Sequence, residues 1–303
     1  MDETIPNSGR PLDRHPTAAI LSLKSRSESF LLFLLCGLSI MATVLFIKDP
    51  LISAGGQVIL AALFLLTSVL IKRSQRLEGY WEVFFAFFVF TSVIVVRNFA
   101  ISPSFDSQYG SSVSGQILIQ LVDTLSVIAP IIALTKLSGQ SLSSIYLKRG
   151  NLKLGITLGL AIFFAFYLAT LGGFQLIFGN SRGGLTLAKL LSLTPALLAL
   201  VLLNGPREEL WFRGLFLKKY EPLLGRRVSN LLQAPIFALA HYNHEYAQFG
   251  FVFLVSFVTA TFLLGFGLGY LMQKTDGLLG PALAHAGADV GVYLAIILPL
   301  SSS

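Results

Sequence analysis

The chain is short of cysteine and short of charge. It has one cysteine, Cys36, among 303 residues, which excludes an internal disulfide and any thiolate metal cluster. Cys36 lies inside an apolar run and reads as a small packing residue. Lys, Arg, Asp and Glu make up 12% of the sequence, about half of the roughly 25% found in soluble domains. With 54% hydrophobic residues and a mean hydropathy of +0.75, this composition points to a membrane protein with little room for a soluble domain. There is no Asn-x-Ser/Thr acceptor. No signal peptide is evident. The first apolar run is 19 residues, long for a signal core, and no small-x-small cleavage site follows it, so it reads as a true span.

What the chain does have is long apolar runs. A bilayer core of about 30 Å takes about 20 apolar residues in a helix. Nine segments reach or approach that length: 29–47, 51–71, 80–101, 115–135, 153–178, 187–217, 229–244, 250–272 and 279–299. The expected fold is therefore an all-α polytopic transmembrane bundle of eight to nine spans. The seventh segment is short and reads as a partial or tilted span. The sixth is long, with a break expected near Pro206, which lacks a backbone donor. Lys48, Asp49 and Pro50 join the first two spans as a tight hairpin. Residues 1–28 are polar and read as a disordered cytoplasmic tail. No internal repeat is present.

The net charge is +7, and its placement argues against a nucleic-acid partner. With the N-terminus in the cytoplasm, sixteen of the 22 Lys and Arg fall in inside segments; four, Lys48, Arg97, Arg182 and Lys189, fall outside. This alternation fits nine crossings with the C-terminus outside. The basic surplus then serves topology and lipid headgroups. The expectation is an integral protein of the plasma (inner) membrane.

The two remaining arginines lie in "NGPREELWFRG", residues 204–214, between apolar runs. Ionisable side chains inside a span are functional candidates by default. Glu209 and Arg213 are four apart and can pair on a helix. Glu208 is rotated about 100° from Glu209 and has Phe212 at plus four, so it is left to face a cavity. In "FALAH", Phe237 and His241 are one turn apart. In "HAGAD", His285 and Asp289 are one turn apart; Asp289 could orient the imidazole, or both could face a common point. Three of the four histidines lie in the C-terminal third. A carboxylate base, two imidazoles and a second carboxyl are a kit for activating water. Any one of these motifs alone is commonly structural, since buried Glu–Arg pairs glue helix bundles. Together, in consecutive segments of an apolar chain, they favour function.

The ordered motifs "EELWFRG", "FALAH" and "GLLGPALAHAGAD" resemble the CPBP intramembrane proteases. That family includes the CAAX prenyl endopeptidases and the Abi-type bacteriocin-immunity proteins. The resemblance covers about residues 195–295, and the first six spans add only hydropathy to it. It implies a transmembrane domain over 29–303 with a catalytic core at about 187–299. It implies an intramembrane endopeptidase acting on a membrane-associated peptide or protein, CAAX-type or prenylated substrates included. By the same resemblance Glu208 activates water and His241 assists in proton transfer. His285 and Asp289 stabilise the oxyanion or hold the centre, while Glu209 and Arg213 hold the motif helix. The family is described both as metalloproteases and as metal-free glutamate proteases. A divalent metal such as zinc would take Glu208, His241 and His285, but no ligand pair has the close spacing of His-Glu-x-x-His, and the balance leans to metal-free water activation. The alternative is a non-catalytic protein of the same fold, acting in bacteriocin immunity or as a scaffold. A solute transporter would spread its charges through related halves of the chain, whereas here they cluster in the last third.

Two positions depart from the family's pattern. Arg207 precedes the Glu pair where a small or apolar residue is frequent. It could face the cavity of Glu208, snorkel outward or bind a substrate carboxylate. The third motif ends in Asp289 rather than Asn, and an ionised Asp cannot donate a hydrogen bond to an oxyanion. Elsewhere, His244 and Glu245 read as the polar end of the seventh segment. Asp123, inside the fourth span, lines the cavity or pairs with a neighbouring helix. Arg97 and Glu82 lie near span ends, where snorkelling is cheap. The Phe-rich "VFFAFFVF" reads as packing and lipid-facing. The glycines Gly265, Gly267 and Gly269 read as close helix packing, since no strand precedes them.

Overall fold

The computed structural model describes residues 23–74, 77–101, 103–178, 186–242 and 250–301. Among these residues every regular element is helical. Helix α1 is Leu23–Leu45, α2 Pro50–Lys72, α3 Trp81–Ala100, α4 Pro103–Tyr109, α5 Val113–Leu137 and α6 Leu152–Phe178. There follow α7 (Leu187–Glu208), a π-helical turn (Glu209–Gly214), α8 (Leu217–Leu224), α9 (Arg226–Ala240), α10 (Phe251–Thr275), α11 (Leu279–Ala288) and α12 (Val290–Leu300). Among the described residues, seven helical stretches are long and apolar enough to cross a bilayer, or eight if the pair α11–α12, bent by 49°, counts as one span. This is an integral membrane protein built as a polytopic helical bundle.

The seventh expected segment is the partial one, as its length suggests. The segment 229–244 contains α9, of 15 residues, which spans about 22 Å at 1.5 Å per residue, short of a bilayer core. Its polar positions explain the shortfall: Arg226 and Arg227 are exposed, and Asn230 and Gln233 are buried against α10. Asn230 Nδ2 donates to the Phe266 carbonyl (2.8 Å) and Gln233 Nε2 to the Gly265 carbonyl (3.0 Å). Gly265 and Gly269 permit this approach, as a Cβ there would lie 2.9 Å from Phe237 and 2.0 Å from Asn230. Gly267 faces away from α9 and lines an apolar crevice instead. His244 and Glu245 lie outside the described residues, as do His15, Arg182 and most of the polar tail. The described end of the expected tail is helical: α1 begins at Leu23, and just beyond the tail Ser29 Oγ, itself bonded to the Ser25 carbonyl, meets the Tyr80 hydroxyl at 2.9 Å.

The tight hairpin forms as the sequence suggests. Asp49 caps α2, its Oδ1 accepting from the Leu51 and Ile52 amides at 2.9 Å each, with Pro50 in the first turn. At the opposite end of the bundle the α5–α6 connection meets the end of α10. Asn151 donates its amide to the Thr275 carbonyl (2.7 Å), Lys148 pairs with Asp276, and Lys218 reaches Asp276 at 3.1 Å. This end carries many basic residues and is called the basic end below.

Aromatic packing ties the first helices to the motif helix. On α3, Phe84, Phe87 and Phe90 are buried, whereas Phe85 and Phe88 are only half-buried. Phe87 packs on Phe216 (5.1 Å between centroids), Phe90 on Phe212 (5.5 Å) and Phe212 on Phe237 (5.3 Å). Rings at these separations add attraction beyond the area they bury. Close backbone contact does the same work on the other side, where α7 meets α11. A Cβ on Gly205 would lie 2.3 Å from the Ala282 carbonyl, so only glycine lets the two Glu residues approach His285.

Candidate active site

Pro206 does not end the sixth span. Helix α7 runs through it to Glu208 and widens into the π-turn, where the Leu215 amide bonds back five residues to the Leu210 carbonyl (3.1 Å). Such turns recur at functional sites because the extra residue changes which way successive side chains point. Here they separate the adjacent acids. Glu209 is fully buried, and its Oε1 accepts from Arg213 Nη1 (2.7 Å) and from His285 Nδ1 (2.6 Å). Arg213 is fully buried too, its guanidinium 3.7 Å from the Phe237 ring centroid. The Glu209–Arg213 clamp read from the spacing is present, and it does more than join two residues of one helix. Glu209, not Asp289, holds the His285 ring.

Glu208 points elsewhere. Its Oε1 accepts from Arg207 Nη2 (2.6 Å) and from Asn204 Nδ2 (3.3 Å). Its Oε2 lies 3.2 Å from His241 Nε2 and 3.6 Å from His285 Nε2. His241 Nδ1 donates to the Phe237 carbonyl (2.9 Å), the residue one turn earlier in "FALAH". A carbonyl can only accept, so this bond fixes the tautomer and leaves Nε2 facing the carboxylate. Glu208 Oε2 makes no hydrogen bond of its own among the described residues, and His241 Nε2 is its nearest imidazole nitrogen.

Glu208 and His241 border a cavity of about 260 Å³, whose wall also includes Met41, Val44, Phe90, Arg97, Arg207 and Trp211. The cavity lies toward the α1–α2 hairpin, away from the basic end. It shares Asn98 with a second cavity of about 400 Å³ formed by the hairpin and the end of α3. Glu209, Arg213 and His285 stand behind Glu208 and are not on the wall. Asp289 sits where α11 bends into α12, with Oδ1 3.6 Å from His285 Nε2 and Oδ2 accepting from Asn204 Nδ2 at 2.6 Å.

Three features escape a reading of the motifs. Asn204, one turn before Glu208, bridges Glu208 and Asp289; its only sequence signal is a lone amide at the end of "LVLL". Gln120 extends this chain, donating to Asn204 (3.3 Å) and accepting from the Tyr293 hydroxyl (2.6 Å). Arg97 and Asp123 are partners: Nε donates to Oδ1 at 2.5 Å and Nη2 to Oδ2 at 3.3 Å. Asp123 also pairs with Arg207. Arg97 thus does not snorkel, because the buried Asp123 carboxylate offers it a countercharge across 26 residues of sequence. Arg207, which is 7% exposed, does not snorkel either.

The family described as type II CAAX prenyl endopeptidase, Rce1-like, matches residues 189–291. The match is confined to this segment of the chain. It covers about a third of the sequence and holds all three motifs, in agreement with the resemblance to the CPBP and CAAX proteases. No curated protein and no solved structure matches the chain. The matched segment supplies Asn204, Glu208, Glu209, Arg213, His241, His285 and Asp289. Arg97, Gln120 and Asp123 come from helices before it, so the earlier spans contribute chemistry as well as packing.

Geometry bears on whether the donor set could hold a metal. Among the described residues no group of three or more His, Cys, Asp or Glu side chains is arranged to hold one. Glu208, His241 and His285, the set expected from the resemblance, do not form such a group, although Nδ1 of each imidazole is held by another acceptor and Nε2 of each is left toward Glu208. No step below is routed through a metal.

Proposed function

We propose that this protein is an intramembrane endopeptidase that cleaves a peptide bond in a membrane-associated protein substrate. The observation that carries the reading is the Glu208 Oε2–His241 Nε2 pair, 3.2 Å apart beside a cavity deep in an apolar bundle. Water entering from the cavity gives a proton to Glu208 as its oxygen attacks the scissile carbonyl carbon. The proton passes through the Glu208–His241 pair to the leaving amide nitrogen as the C–N bond breaks. General acid–base catalysis of this kind is worth about 10²- to 10⁴-fold. Glu209, Arg213 and His285 act as positioning residues, holding the carboxylate from behind. The Rce1-like match supports a peptidase and makes CAAX-type substrates the first to try.

The same proposal sets the orientation. Lys136, Lys148, Lys218, Arg226 and Lys274 lie near the basic end, which supports a cytoplasmic basic end and N-terminus in the plasma membrane. The cavity then faces the outer half of the bilayer. The deciding experiment purifies wild type and Glu208→Gln in detergent and compares cleavage of a peptide library, CAAX-type peptides included. The proposal expects products from wild type only. Equal cleavage by both would sink Glu208 as base. Full activity of Glu208→Gln in cells where deletion loses activity would favour a binding protein of the same fold.

A further inference from the structure

The charges around the cavity alternate. Glu208 is paired with Arg207 (2.6 Å), Arg207 with Asp123, and Asp123 with Arg97. The chain begins at the proposed base and ends on a cation. Its inner members are covered, with side chains of Arg207 and Asp123 9% and 6% exposed, while 39% of the Arg97 side chain is open and lies on the cavity wall. Both Arg97 bonds to Asp123 use Nε and Nη2, and Nη1 has no hydrogen-bond acceptor among the described residues. Two guanidiniums share Asp123, and Arg97, the more open of the two, presents its unbonded edge to the cavity at the outer end of this network. Asn98, next to Arg97, lines the same wall. An arginine fork bonded on one edge and open on the other is suited to take a second carboxylate.

We propose that Arg97 anchors a carboxylate of the substrate in this cavity, with Met41, Val44, Phe90 and Ile94 receiving apolar side chains beside it. This rests on the reading of the cavity as the substrate's. The anchor fixes how far the carboxylate sits from the bond presented to Glu208, which makes Arg97 a specificity-determining residue. The carboxylate is the chain's own C-terminus or an acidic side chain, and the test separates these.

Binding is measured without turnover, in Glu208→Gln carrying Trp81→Phe, so that Trp211 on the cavity wall is the only tryptophan and its emission reports occupancy. Four probes are titrated: acetyl-Leu-Val-Phe as free acid and as amide, and acetyl-Leu-Val-Glu amide with its Gln counterpart. The expected result is a preference of about tenfold or more for at least one acid over its neutral partner, lost in Arg97→Gln. A preference confined to the free acid identifies a C-terminal carboxylate, and one confined to the Glu probe an acidic side chain. Should Arg97→Gln not fold, Arg97→Lys reads the same quantity: a preference reduced severalfold supports the anchor, and an unchanged one overturns it. Equal binding of all acids and amides, or a preference that survives Arg97→Gln, also overturns it. Acid preference in a protein that cleaves nothing would sink the protease reading and leave the anchor standing.

Discussion

Adjacent glutamates should fail in opposite ways. Glu209→Gln removes the carboxylate that Arg213 and His285 share at 2.7 and 2.6 Å in a fully buried position. Arg213 Nε and Nη2 already lack acceptors, so the guanidinium would be left with the Phe237 ring and a single neutral amide. Breaking a buried pair on one side typically costs about 3–5 kcal/mol, which corresponds to a fall of the apparent unfolding midpoint on the order of 10 °C. Glu208→Gln leaves Arg207 paired with Asp123, and Asn204 can still donate to the new carbonyl. Its cost should stay near the ~1–2 kcal/mol of a lost charged hydrogen bond, while cleavage falls by about 10²-fold or more. Thermal unfolding in detergent, followed by tryptophan emission, and peptide cleavage on the same preparations measure both quantities. A Glu209→Gln protein as stable as wild type would refute the assignment, as would a Glu208→Gln protein that unfolds first.

Asn204→Leu removes the amide that joins Glu208 to Asp289, and cleavage should drop about 10-fold or more, in line with groups that orient catalytic side chains, with KM little changed in initial-rate measurements. On the proposed metal-free route chelator should leave wild-type cleavage intact; loss restored by zinc would recast Glu208, His241 and His285 as ligands. A Val44→Cys variant in a Cys36→Ala background should react with an impermeant maleimide added to intact cells, while Lys148→Cys in the same background should not. Asp276, which partial burial alone would push up, is held below the ordinary aspartate range by hydrogen bonds from Lys148 and Lys218. Its contribution to stability is therefore complete above about pH 4 and lost as pH falls through the lowered value, so Asp276→Asn should remove that acid-side slope from the unfolding midpoint.

Period and composition carried the parts of this fold that are local. The apolar runs appear as helices, Asp49 and Pro50 begin α2, and Glu209 meets Arg213 because four residues bring side chains to one face. Parts that depend on how helices meet were not legible. Nothing in "NGPREELWFRG" announces a π-turn, since the signal is one extra residue in a hydrogen-bonded ring. Segment 229–244 has the apolar content of a span, yet Asn230 and Gln233 use their amides on α10, and the regular helix ends at Ala240. Arg97, at the end of a span, has the sequence look of a snorkelling arginine. Only the position of Asp123 on another helix turns it inward.

The apolar surroundings constrain what these charges can be. The connected groups comprise four carboxylates, Asp123, Glu208, Glu209 and Asp289, and three guanidiniums, Arg97, Arg207 and Arg213. An excess charge in a low-dielectric interior is costly, so the cluster favours holding one further proton. Asp123 and Glu209 each have fixed cationic partners. The groups left to carry that proton are Glu208, His241, His285 and Asp289, which lie within 3.6 Å of one another in successive pairs. The same electrostatic balance that lets so many ionised groups sit in an apolar bundle thus places groups able to exchange a proton beside the cavity. A peptidase with Glu208 as base needs such a path, since the proton taken from water must reach the leaving amine. A purely structural clamp would have no use for it, and the Glu209–Arg213 pair, which is complete without it, shows what such a clamp looks like in this fold.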